Sequence, residues 1–312
     1  MERISVLPSH VEGAAVTVGT FDGVHRGHLD VIARLNARAK EKGLRSVAVT
    51  FDPHPLEVVN PAAAPPLLTV GDEKIEVLAE SGLDYLVIVD FTPQVAALSA
   101  ERFVDEVLCA RFRMHDLLIG HDHGFGRARA GNATVLRELG VSRGFTVDVI
   151  DAINDASGRA VSSTAIRRAV AGGALNQAAA MLGRPYSVSG RVVRGEQRGR
   201  ALGYPTLNVD PPSSRKLLPP DGVYVGRVQT PRGEFGSMLS IGPRPTFDDP
   251  RRTIEAYLFD AEGDFYDMYV RIDLLERLRD IEKFDSPAAL VAKIREDELA
   301  ARGVLAMPID LG

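Results

Sequence analysis

The chain contains no tryptophan and a single cysteine, Cys109. One thiol excludes an intrachain disulfide framework and points to a reducing compartment. No apolar run approaches the ~18 residues that a membrane helix needs. The first residues, Met1-Glu2-Arg3-Ile4-Ser5-Val6, lack the long apolar segment of a signal peptide. A cytoplasmic protein with no membrane partner is expected. Positive charge is not in excess either: 37 Lys and Arg stand against 42 Asp and Glu, a net charge of −5. That argues against a nucleic-acid partner, whose phosphates call for a basic surface. Histidine is absent beyond position 123; His10, His25, His28, His54, His115, His121 and His123 are all of it. An enzyme site in the C-terminal part must draw its general base from another residue type, and a carboxylate is the natural candidate.

What is present is ordinary globular composition. A length of 312 residues with 45% hydrophobic content allows two domains, each with its own core. In the first half, short apolar runs at 14–18, 46–51, 85–91, 116–120 and 146–150 read as strands. Helical patterns lie between them at 29–42, 72–81, 99–112 and 133–139. Strands separated by helices imply an α/β domain with a doubly wound, Rossmann-like parallel sheet. Its ligand should sit beyond the carboxyl ends of the strands. Gly19, Asp52 with His54, and Gly120 through Asp122 all follow strand ends, so they should converge on one crevice. Cys109 falls in a helical pattern and is expected to be a buried structural thiol. Residues 61–66 read as an exposed loop.

Two short helices, 163–171 and 175–182, follow. Gly172-Gly173 separates them, and Gly183-Arg184-Pro185 ends the second. The domain boundary is placed there, giving domains 1–184 and 185–312. Beyond it, strands at 187–193, 222–229, 234–241, 253–259 and 265–275 alternate with Gly, Pro and Asp. That pattern suggests a small antiparallel β-barrel. A C-terminal helix is expected over 286–302, with Ser286 as N-cap and Pro287 at its first position.

Three stretches carry chemistry. The first is Gly19-Thr20-Phe21-Asp22-Gly23-Val24-His25-Arg26-Gly27-His28, between the first strand and the first helix. A helix N-terminus offers backbone N–H groups to phosphates. Gly27 has no Cβ and lets a ligand approach the backbone. His25 and His28 can each donate to phosphate oxygens. This is the HxGH arrangement of nucleotidylyl transferases. The second stretch is Ser162-Ser163-Thr164-Ala165-Ile166-Arg167. Hydroxyls at a helix start bind anions, and Arg167 adds a planar fork for phosphate. Alone, it reads as a plain N-cap with solvated arginines; paired with the first stretch, it supplies the second hand of a triphosphate clamp. No lysine-rich KMSKS loop of the class I aminoacyl-tRNA synthetases stands there.

The third stretch runs from Gly190 to Asn208, with Arg191, Arg194, Arg198 and Arg200 interleaved by glycine. Thr206 and Asn208, two apart on an extended chain, would point the same way and could offer oxygens to Mg²⁺, a hard cation. A solvated basic hairpin is the plain alternative. No Walker loop is present, which excludes a P-loop kinase.

Taken in order, these stretches resemble the bifunctional riboflavin kinase/FMN adenylyltransferase family, the bacterial FAD synthetases. The likeness rests on Gly19-x-Phe21-Asp22-Gly23-Val24-His25-x-Gly27-His28, Thr50-Phe51-Asp52-Pro53-His54-Pro55, Gly120-x-Asp122 and Ser162-Ser163-Thr164-x-Ile166-Arg167. It continues in Gly199-Arg200-x-Leu202-Gly203-Tyr204-Pro205-Thr206-x-Asn208, Gly222-Val223-Tyr224, Ile241-Gly242-x-Arg244-Pro245-Thr246-Phe247, Glu255 and Lys283-Phe284. Leu207, His123-Gly124 and Ser240 depart from the usual family residues. The resemblance implies ATP, riboflavin, FMN and FAD as ligands and Mg²⁺ with the ATP. It implies a nucleotide site at Gly19, Phe21, Gly27, Asp52, His54, Asp122, Ser162, Ser163 and Thr164, with His25, His28 and Arg167 as catalytic groups. A second site would use Gly199, Arg200, Gly203, Pro205, Thr206 and Asn208, with Glu255 as base, inward or at the barrel rim. A monofunctional adenylyltransferase with a flavin-binding barrel, a flavin-sequestering protein and a transferase for another phosphate-bearing acceptor are the alternatives. Self-association is left open.

Overall fold

The computed structural model describes residues 1–121, 126, 131–155, 158–195, 203–211, 213–243 and 252–308. Asp122, Gly199 and Arg200 lie outside the described residues. The chain divides into two compact units. One comprises residues 1–65 and 74–161, the other residues 66–73 and 162–312.

The first unit is built on a six-stranded parallel sheet of order β1-β4-β3-β2-β5-β6. The strands are β1 (Glu2–Arg3), β2 (Ala14–Val18), β3 (Arg45–Asp52), β4 (Tyr85–Asp90), β5 (Met114–Gly120) and β6 (Thr146–Ile150). Their apolar residues alternate between two cores, as period-2 side chains must when both faces are covered. Val16, Val18, Val47, Val49 and Phe51 meet Phe103, Val107, Leu108 and Phe112 on one side. Ala15 and Ala48 meet Ile32, Leu35 and Ala39 of helix α1 (Arg26–Lys42), with Val77 and Leu78 of helix α2 (Glu73–Ala79), on the other. Gly43, with φ 66, caps α1 in the left-handed region that favours glycine. The strand order reverses at β2, which lies between β3 and β5, so the crevice opens beyond β2.

Two expectations need correction here. The helical stretch 99–112 is not one α-helix: Val104–Cys109 winds as a π-helix between short α-helical turns. Such a wide turn arises when one residue is inserted into a helix without breaking its buried stripe. Cys109 lies on that turn and is half-buried rather than buried. Burial and the nearby Asp105 raise its thiol pKa, which disfavours the thiolate. The segment 61–66 is a largely exposed loop, as expected, with one 3₁₀ turn at Pro61–Ala63.

The second unit is a closed barrel of order β10-β11-β8-β7-β12-β9. It is formed by β7 (Tyr186–Val193), β8 (Thr206–Asp210), β9 (Gly222–Thr230), β10 (Gly233–Pro243), β11 (Arg252–Leu258) and β12 (Tyr269–Arg279). β8 reads in the sequence as an extended segment and not as a strand; between β7 and β11 it closes the barrel. β12 starts four residues later than expected, because Asp267 turns through φ 62 before the ladder can begin. The C-terminal helix α5 (Pro287–Leu305) is capped by Ser286, with Pro287 at its first position, as expected. It packs on the outer face of the barrel through Ala301 against Val223, Val225 and Met238. Helices α3 (Ser163–Ala171) and α4 (Leu175–Leu182) belong to this unit, α4 resting on β7 and β12.

Residues 66–73 also pack in this second unit. Leu67 bridges Lys216 in parallel fashion. The Lys216 ammonium donates to the Leu68 carbonyl at 2.7 Å and to the Glu73 carboxylate at 2.7 Å. Both side chains are almost wholly buried, 1% and 2% exposed. Glu73 also accepts from the backbone N–H groups of Ser189 at 2.7 Å and Val70 at 2.9 Å. Removing one partner of a buried pair strands the other charge. Lys216→Met is therefore expected to destabilise this unit by about 3–5 kcal/mol. Chemical denaturation checks it; a change under about 1 kcal/mol would mean that water reaches Glu73 once the ammonium is gone.

Candidate active sites

The first site is the loop between β2 and α1. β2 is buried along its length, so its exit is fixed. The Gly19 N–H donates to the Val49 carbonyl at 3.0 Å. Phe21 (φ 47) and Val24 (φ 41) then occupy the left-handed region, where non-glycine residues are strained. α1 begins at Arg26, three residues before the position expected from apolar spacing. Its N-cap is His25, outside the usual Ser, Thr, Asp and Asn set, which is why the start is not legible in the sequence. The His25 Nδ1 accepts a long hydrogen bond, 3.4 Å, from the His28 N–H. That leaves the neutral ring's proton on Nε2. The His25 and His28 rings stack at 3.7 Å, and the Phe21 ring meets His28 edge-on at 5.2 Å. A Cβ on Gly27 would lie 3.2 Å from the His25 ring and press it by a few tenths of an ångström. The Val161 carbonyl, one residue before Ser162, comes within 3.9 Å of the same point.

Asp52 is exposed at the end of β3, and His54 caps a short helix, Pro55–Val59, by accepting from the Leu56 N–H at 3.2 Å. Gly120 ends β5. Gly19, Phe21, Gly27, His25, His28, Asp52 and His54 therefore belong to one unit, at the carboxyl edge of its sheet. Ser162, Ser163, Thr164 and Arg167 pack in the other unit. Ser162 caps α3 by accepting from the Ala165 N–H at 3.2 Å, and Arg167 Nε donates to the Pro66 carbonyl at 2.9 Å.

The second site is on the barrel. Ile254, Ala256 and Leu258 are buried, so the alternation along β11 puts Glu255 on the opposite, outer face, where it is half-buried. The expectation of an inward or rim glutamate is corrected on this point. Strand alternation allows either face, and the ladder register selects one. Glu255 stands opposite Asn208 on β8 and Ser240 on β10. Tyr257 stands opposite Thr206. Thr206, Asn208 and Glu255 thus share one face, although β8 and β11 are far apart in sequence. Gly195 passes directly over Asn208, and a Cβ there would collide with the amide. Tyr204 packs edge-on against Tyr257 at 5.1 Å. Gly203, just before it, takes φ 84, and Pro205 is exposed. Arg194 lies over the Tyr266 ring at 5.3 Å, and Arg191 donates to the Asp267 carbonyl at 2.7 Å.

Two lysines escape a reading of the sequence. Lys216 sits at a turn with no periodicity to single it out. Lys74 lies at the start of α2, and its ammonium donates to the Thr20 carbonyl at 2.8 Å. Its one sequence sign is a charged residue at a helix start, which usually faces water.

Comparison with known proteins finds relatives over most of the chain. The FAD synthetase family model matches residues 7–165, and the riboflavin kinase family model matches residues 182–305. A bifunctional riboflavin kinase/FMN adenylyltransferase of Escherichia coli K12 is 37% identical over 93% of this chain and 92% of its own length. That of Pseudomonas fluorescens is 37% identical over 97% and 96%, and that of Listeria monocytogenes 36% over 93% and 92%. A crystal structure titled macrolide-efflux protein, from Streptococcus pneumoniae, superposes with a TM-score of 0.84 at 31% identity, covering 96% of this chain and 98% of that one. Among the described residues here, no helix is long and apolar enough to cross a membrane.

Proposed function

We propose, on the premise that this chain belongs to the bifunctional riboflavin kinase/FMN adenylyltransferase family, that its two reactions use the β2–α1 loop and the outer barrel face respectively. The chain phosphorylates riboflavin with ATP to give FMN, and adenylylates FMN with a second ATP to give FAD and pyrophosphate. The adenylyltransferase domain is assigned to residues 1–184 and the kinase domain to 185–312.

In adenylyl transfer an FMN phosphate oxygen attacks the α-phosphorus of ATP, and the bond to the bridging oxygen breaks. The nucleophile is already an anion, so no protein base is required. Catalysis then rests on positioning and charge stabilisation. His25 and His28 donate to phosphate oxygens beside the N–H groups of the first turn of α1. Gly19, Phe21, Gly27, Asp52, His54 and Asp122 shape the nucleotide pocket. Ser162, Ser163, Thr164 and Arg167 serve the same reaction as phosphate ligands.

In the kinase, the riboflavin 5′-hydroxyl attacks the γ-phosphorus of ATP, ADP leaves, and Glu255 accepts the hydroxyl proton. The observation that supports this reading is the cross-strand pairing of Glu255 with Asn208, with Thr206 on the same face. Hydroxyl and amide oxygens are the ligands a hard cation prefers, so Thr206 and Asn208 fit Mg²⁺ carried with the nucleotide. The metal would supply neutralisation of phosphate charge. Gly199, Arg200, Gly203 and Pro205 are assigned to binding the ATP phosphates.

Incubation of the full chain with riboflavin, ATP and Mg²⁺, followed by chromatographic separation of flavins, is expected to give both FMN and FAD. FMN without FAD would remove the adenylyl-transfer assignment. FAD from supplied FMN, with nothing from riboflavin, would leave a monofunctional adenylyltransferase. Chelation of Mg²⁺ should stop the first step.

A further inference from the structure

We propose that Lys74 is a positioning residue of the adenylyl-transfer site, holding the Thr20–Phe21 peptide so that the Phe21 and His28 rings keep their working geometry. The inference rests on the reading of the β2–α1 loop as that site.

Lys74 is the second residue of α2. Its ammonium donates to the Thr20 carbonyl at 2.8 Å and approaches the Thr50 hydroxyl at 3.5 Å. The Thr50 hydroxyl itself donates to the same carbonyl at 3.1 Å. One backbone oxygen thus accepts two side-chain hydrogen bonds, one of them from a cation. A hydroxyl alone satisfies a carbonyl, and a half-buried ammonium is a costly addition to it. Burial pulls the Lys74 pKa below its ordinary value, while the carboxylates of Asp22 and Asp52 push it back up. Asp22 is in the loop and Asp52 ends β3, so the three charges gather at the carboxyl edge of the sheet, where ligands of such folds bind.

The carbonyl held in this way belongs to the residue just before Phe21. Phe21 is held at φ 47, a strained conformation that persists only when its neighbours fix it. Its ring is buried against Gly19 and meets His28 edge-on. The path from the ammonium to the His28 ring therefore runs through one peptide plane and one aromatic contact. Loss of the cation leaves the carbonyl to the Thr50 hydroxyl, so the plane is held less firmly and the Phe21 wall beside the His28 ring shifts.

The test compares Lys74→Met, His28→Ala and the double variant with the full-length enzyme, using steady-state rates of FMN to FAD and riboflavin to FMN. A misplacement of about 1 Å at a reacting group costs about 10²-fold in rate. Lys74→Met is therefore expected to lower kcat for FAD formation by about 10²-fold, with KM values for FMN and ATP changed by less than about threefold. Riboflavin phosphorylation should stay within about twofold. Because Lys74 acts through His28, the double variant should be no slower than His28→Ala alone. Lys74→Arg keeps the cation and should recover most of the lost kcat; it reads the same outcome if the Met variant fails to fold. Full adenylylation in Lys74→Met with loss in His28→Ala would overturn the Lys74 role alone. So would additive losses in the double variant, or an Arg variant as slow as the Met variant. Full adenylylation in His28→Ala would overturn the site reading and this inference together.

Discussion

His28→Ala should abolish most conversion of FMN to FAD while leaving conversion of riboflavin to FMN untouched. His28 is half-buried in the first turn of α1, its ring sandwiched by the His25 face and the Phe21 edge. A ring held on two sides is a preorganised donor. Removing one such donor to a charged transition state costs about 10²–10³ in kcat. His28 is a cleaner target than His25, whose Nδ1 also caps α1. Loss of a cap costs about 1 kcal/mol of stability, so a His25 variant mixes folding with catalysis. The kinase residues belong to the other compact unit, and their reaction should not register the change. Paired initial rates for the two half-reactions check this. Equal loss of both activities in a folded variant would argue against two independent sites.

Glu255→Gln should do the reverse. Glutamine keeps the shape of glutamate and can still lie against Asn208 across the β8–β11 ladder, but it cannot take the proton of the riboflavin hydroxyl. Loss of a general base costs about 10²–10⁴ in rate. Riboflavin phosphorylation should fall by that factor, and adenylylation of supplied FMN should be unchanged. The two half-reactions again serve as each other's control. β11 is buried on its inner face by Ile254, Ala256 and Leu258, so a change on the outer face should leave the barrel folded. Kinase turnover within about twofold of the wild-type rate, far short of a general-base loss, would remove Glu255 from the mechanism.

Local interactions make much of this protein legible in its sequence. The helix over Pro287–Leu305 is readable because Ser286 caps it through a bond to the Ala289 N–H, three residues away. Ser162 announces α3 in the same way. The parallel sheet is readable because its strands are apolar on both faces and separated by helices. The HxGH loop is readable because its chemistry lies within ten consecutive residues.

Tertiary structure alone decides three other matters, each a pairing between distant positions. The face of Glu255 is open in the sequence, since alternation permits two answers until the register with Asn208 and Ser240 selects one. The segment 66–73 carries no local mark of its destination; Glu73 and Lys216 find each other across 143 positions because a buried charge must be matched by another. Lys74 looks like an ordinary helix-start lysine until α2 packs against the sheet and its ammonium reaches the Thr20 carbonyl. Periodicity and capping act over a few residues, so sequence carries them directly. Burial of charge and strand register are settled when distant segments meet, and no single segment contains that information.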